Sequence, residues 1–99
     1  MSYQEKIKIL ESLYQESPEL DLILGKLIDI SIQNLKDKIL ELEKSLQDYE
    51  LKYKLKSEDF YHQFESGRLG DSMDFLEWSG LYELHQKAQR KILSIGLAA

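Results

Sequence analysis

Few side chains in this sequence can carry chemistry. Two histidines, His62 and His85, stand in a chain of 99 residues that has no cysteine. Thiol nucleophiles, Cys-based zinc sites and disulfides are therefore excluded. Glu58 and His62 are four apart and would share one helix face, but two ligands fall short of the four a structural zinc takes. That spacing suits a surface pair instead. His85 falls inside an apolar seam, where a partly buried imidazole with one hydrogen-bond partner is expected. No Gly-x-Ser-x-Gly marks a nucleophile. Gly67-Arg68-Leu69-Gly70 lacks the Gly-Lys-Ser/Thr ending and the preceding strand of a phosphate loop. Asp71 and Asp74 offer oxygens to a hard cation, yet the further ligands of an EF-hand loop are missing. The expectation is a chain with no catalytic residue, no metal and no cofactor, and so not an enzyme.

The aromatic residues are more informative. Phe60, Tyr61, Phe64, Phe75, Trp78 and Tyr82 fall within 23 residues, interleaved with Asp71, Asp74, Glu77 and Glu83. Aromatics this dense either fill a small core or anchor a partner, and the two can coexist. In the second case Asp71, Asp74, Phe75, Glu77, Trp78 and Tyr82 form the partner-binding set. Charge points the same way. The chain carries a net −5, and residues 57–84 hold seven acids against one base. Such a field repels phosphate backbones and attracts a basic protein. Acids on a solvated helix face are the plainer explanation of the same composition. Lys87, Arg90 and Lys91 are the best basic patch, too small a footprint for the chain to bind nucleic acid alone.

These residues need elements to position them, and every segment reads as helix. Residues 3–16 place Ile7, Leu10 and Tyr14 on one face, within an N-terminal helix spanning 1–17. Ser17 can cap a helix with Pro18 at its first position and Glu19 and Asp21 in the first turn. From Pro18 to Lys56 runs the strongest signal. Ile28, Ile32, Leu35, Ile39, Leu42, Leu46, Tyr49 and Tyr53 are separated by 4, 3, 4, 3, 4, 3 and 4 residues, a heptad seam. Ile32 and Ile39 at position a, with Leu35 and Leu42 at d, suit two parallel strands, and Lys38 at g would meet Glu43 at the following e. The alternative is a seam closed by another helix of the same chain. Leu20, Leu24 and Leu27 extend the apolar stripe at its front.

Ser57 resembles an N-cap for a short helix, followed by Gly67 as a C-terminal cap and a loop, together 57–71. Asp71 or Ser72 can cap a last helix over 72–95. There Trp78, Leu81, His85, Ala88, Ile92 and Ile95 form a second seam, which Gly96 stops. Leu97-Ala98-Ala99 would fray. The fold expected is all-α: one domain with a long central coiled-coil-like helix, shorter flanking helices and a helical-bundle dimer, or a higher even oligomer. No stretch approaches 18 apolar residues, and the N-terminus lacks the pattern of a signal peptide, so the chain is expected in the cytoplasm with no membrane span.

One stretch resembles a known family. Phe60-Tyr61-His62-Gln63-Phe64-Glu65-Ser66-Gly67-Arg68-Leu69-Gly70-Asp71, continuing through Asp74-Phe75-Leu76-Glu77-Trp78 to Leu81-Tyr82, is similar to short helical proteins of archaea, cyanobacteria and other bacteria. These are read as antitoxin-like components beside small toxin genes. The likeness covers roughly residues 57–85. It departs from the pattern at Ser72, where an acid is usual, at Leu76, where Phe is common, and at Gly80, where Ala would be expected. The resemblance implies a cognate toxin as the basic partner. A coiled-coil structural or adaptor protein explains the heptads equally well.

Overall fold

A computed structural model describes residues 1–15 and 17–96. All regular structure among them is helical: α1 (Tyr3–Leu13), α2 (Pro18–Tyr53), α3 (Ser57–Glu65) and α4 (Met73–Gly96). The reading of residues 97–99 lies outside the described residues. No helix among those described is long and apolar enough to cross a membrane.

Local chemistry sets most boundaries. Ser2 caps α1 by accepting the Glu5 N–H at 3.2 Å. Ser17 does the same for α2, accepting the Leu20 N–H at 3.0 Å ahead of Pro18. Ser72 caps α4 through the Phe75 N–H at 3.2 Å. Gly67, at φ +77°, ends α3 in a Schellman turn: its N–H reaches the Phe64 carbonyl at 3.0 Å, and the Arg68 N–H reaches Gln63 at 3.2 Å.

Three boundaries differ from expectation. α4 includes Gly96, which was expected to stop it at 95; α1 stops at Leu13, short of 16, and α2 stops at Tyr53, short of Lys56. The end of α2 is a Schellman turn without glycine. Lys54 takes the left-handed conformation at φ +52°, and the Leu55 N–H bonds the Glu50 carbonyl at 3.3 Å. Leu55 then packs on the core, which holds the turn in place.

The chain divides into two compact units, residues 1–33 and residues from Asn34 on. α2 runs through both. In the second unit α2 and α4 lie antiparallel, since Glu43 meets His85, Tyr49 meets Trp78 and Tyr53 meets Phe75. Two apolar clusters join them. Ile39, Leu42 and Ala88 form one, with Leu35, Leu81 and Ile92 packed against it. Leu46, Phe60 and Trp78 form the other, which brings in α3. In the first unit no described residue is buried.

Candidate functional site

The acidic aromatic segment is built around Trp78. Its ring lies parallel to Phe60 with centroids 3.7 Å apart, and both side chains are fully buried. Tyr49 and Tyr53 stack on the same indole at 5.5 and 5.7 Å. A buried indole N–H must find an acceptor. It donates to the Ser57 hydroxyl at 2.9 Å. Ser57 is therefore not the cap expected of it. It is the first residue of α3, buried, with Lys56 at the cap position and no side-chain cap there. The capping role passes to Glu50 on α2, whose carboxylate accepts the Ser57 N–H at 2.8 Å. A carboxylate at that helix start also complements its dipole. Ser57 and Glu50 were not legible as a pair, because their partners lie 21 and seven residues away.

The acids around this core differ in what holds them. Asp74 accepts from Lys52 Nζ at 2.7 Å and from the Tyr53 hydroxyl. The Lys52 hydrogen bond, then that of Tyr53, holds its carboxyl below the ordinary range. The same Asp74 contact pushes Lys52 and Tyr53 upward. Glu83 accepts the Tyr61 hydroxyl at 2.7 Å, which drives that phenol far up. Tyr61 in turn stacks on Tyr82 with centroids 4.7 Å apart. Burial raises Tyr82 and Tyr49, with Glu58 and Glu77 respectively adding to it. Asp71 and Glu77 remain exposed.

The structure thus splits the six residues proposed to meet a partner. Trp78 is sealed in the core and cannot touch one. Phe75 and Tyr82 are half-buried against the core, and Asp74 is held by its own chain. Asp71 and Glu77 face solvent. Elsewhere, Tyr61, Tyr82, Glu83, Gln86, Lys87 and Arg90 line a shallow recess of about 410 Å³. A second groove of about 320 Å³ contains Glu43, Glu50, Glu58 and His85. His85 is half-buried with Nε2 3.3 Å from the Glu43 carboxylate, so Glu43 faces α4, while Lys38 lies near Glu41 at 3.9 Å. Among the described residues no group of three or more His, Asp or Glu is arranged to hold a metal.

The heptad seam is also divided. Leu35, Ile39, Leu42, Leu46 and Tyr49 pack in the clusters shared with α4, and Tyr53 stacks on Trp78. At these positions α4 supplies the facing helix within the chain. Ile28 and Ile32 belong to the first unit, where Ile28 is 54% exposed. Tyr3, Ile7 and Leu10 on α1, Tyr14 just after it, and Leu24, Leu27 and Ile30 on α2 are all exposed. Scans against family models and searches of curated proteins and of solved structures find no match to the chain.

Proposed function

We propose that this chain acts by binding protein rather than by catalysis, as an antitoxin-like interaction module. The observation that carries this reading is the contrast in burial. Residues from Asn34 on build a core around Ile39, Leu42, Leu46, Phe60, Trp78 and Ala88, with Leu40, Leu51 and Leu93 left exposed outside it, while none of the described residues among the first 33 is buried. Exposed apolar surface on that scale marks an interaction site. The folded unit contributes a second surface, the exposed acids of residues 57–84, among them Asp71 and Glu77. Their sign suits a basic protein, and the resemblance of residues 57–85 to antitoxin-like proteins makes a toxin the candidate.

The test is co-expression with the product of the adjacent gene, followed by co-purification. Asp71→Lys with Glu77→Lys should keep the fold and abolish capture of a basic partner. A neighbour that is neither bound nor toxic defeats the toxin assignment. The adaptor reading is favoured if capture persists and does not depend on the acids.

A further inference from the structure

The sequence holds six tyrosines, and the fold brings the rings of two of them together. We infer that Tyr61 and Tyr82 form a modification site: under one-electron oxidation they join covalently as a dityrosine, with the Glu83 carboxylate accepting the Tyr61 proton. The inference goes beyond the interaction-module reading and does not depend on what the chain binds.

Contact gives the first argument. Tyr61 on α3 and Tyr82 on α4 have ring centroids 4.7 Å apart and planes inclined by 28°. Holding two reacting groups together turns a bimolecular coupling into an intramolecular one. Among the ring contacts of the described residues, this is the one that sets tyrosine against tyrosine. Tyr49 and Tyr53 lie on Trp78 instead, and Tyr53 also meets Phe75. A radical formed on either has no second phenol ring against it.

Proton transfer gives the second. The Tyr61 hydroxyl donates to Glu83 at 2.7 Å, within reach for the carboxylate to take the proton as the electron leaves. The same hydrogen bond pushes the phenol far up, so Tyr61 keeps its proton until it is oxidised. Access is the third. Both tyrosines line the shallow recess with Gln86, Lys87 and Arg90, and neither is sealed in the core as Trp78 is. The chemistry balances as follows. Tyr61 gives an electron to the oxidant and its phenolic proton to Glu83. Tyr82 gives an electron to a second equivalent and its proton to solvent. The two phenoxyl radicals join through their ortho carbons, and each ring then moves the hydrogen on that carbon to its oxygen. Two electrons and two protons are lost, and one C–C bond is gained. That bond ties α3 to α4 and narrows the unfolded ensemble as a disulfide does.

The full chain at low micromolar concentration, illuminated with tris(bipyridine)ruthenium(II) and persulfate to generate ruthenium(III) as the one-electron oxidant, tests this. The expected product is a single chain lighter by two hydrogen atoms. It shows the blue fluorescence of dityrosine and yields a peptide that joins Tyr61 to Tyr82. Its yield should not fall on dilution. Tyr61→Phe and Tyr82→Phe should each remove it and Tyr53→Phe should leave it, with unchanged circular dichroism showing that all three stay folded. Glu83→Gln should slow its formation at least about tenfold. Absence of the product from the wild type, a yield that falls with dilution, or a product that survives Tyr82→Phe overturns the inference. So does a cross-link mapped to Tyr3 or Tyr14 in place of Tyr82. A Glu83→Gln chain that reacts as fast as the wild type overturns the role given to Glu83.

Discussion

Residues 1–33 and residues 34–96 are built from the same kinds of side chain and end in opposite states. Both contain amphipathic helices with apolar residues at spacings of three and four. In the second unit one face of them is closed in by α3 and α4, with Phe60 and Trp78 0% exposed, while Leu40, Leu51, Leu84 and Leu93 stay exposed. In the first, Leu27 is 58% exposed and no described residue is buried. A helix stripe specifies that something must cover it, not what does. One unit forms a buried core within the chain, and among the described residues the other does not.

The comparison predicts unequal sensitivity to mutation. Trp78→Ala should cost about 3–5 kcal/mol in the unfolding of residues 34–96, measured by urea denaturation and circular dichroism. Leu22→Ala, at an exposed site of the first unit, should shift the same transition by less than about 0.5 kcal/mol. Equal losses would dissolve the distinction between the units. Ser57→Ala comes next. It leaves the buried Trp78 N–H without its acceptor and should cost about 1–3 kcal/mol. A neutral result would mean that water replaces the hydroxyl.

Two substitutions should instead stabilise. Gly80 sits inside α4, and a Cβ there would meet nothing within 4 Å. Gly80→Ala should gain about 1 kcal/mol through helix propensity. Lys54→Gly relieves a left-handed lysine and should gain roughly 0.5–1 kcal/mol, less whatever glycine loses in the unfolded chain. Both are read from the midpoint of thermal unfolding.

The smallest effect is electrostatic. Asp74 is held below its ordinary 3.8, so its contribution is complete above that value and fades as pH falls through the lower folded value. Lys52 is raised above its ordinary 10.5, so its contribution is complete below that value and fades as pH rises through the higher folded one. Stability should be flat between these limits as far as this pair is concerned. In Asp74→Asn the decline on the acid side should be shallower. The pair is open to solvent, so salt should weaken it further.

How much of this was legible in the sequence follows from how local each signal is. Ser17, Ser72 and Gly67 announce their roles because a cap needs only its own turn. The end of α2 was misplaced because Lys54 has no preference for the left-handed conformation it adopts; Leu55, packed on the core, imposes it. Ser57 carried the right residue type for a cap and serves another purpose, because Trp78 comes to it from 21 residues away. The seam was ambiguous for a deeper reason. Spacing of four and three describes a helix facing any helix, and only the burial of Leu35 to Leu46 against α4 shows which part is answered within the chain.

Amide hydrogen exchange on the full chain, followed across a wide range of protein concentration, tests the central claim most directly. Residues 34–96 should be protected equally at every concentration, because their cover is intramolecular. Residues 3–30, where no described residue is buried, should exchange faster than residues 34–96 at the lowest concentration. Protection of residues 3–30 that is already complete at the lowest concentration, or loss of protection in residues 34–96 on dilution, would contradict the account.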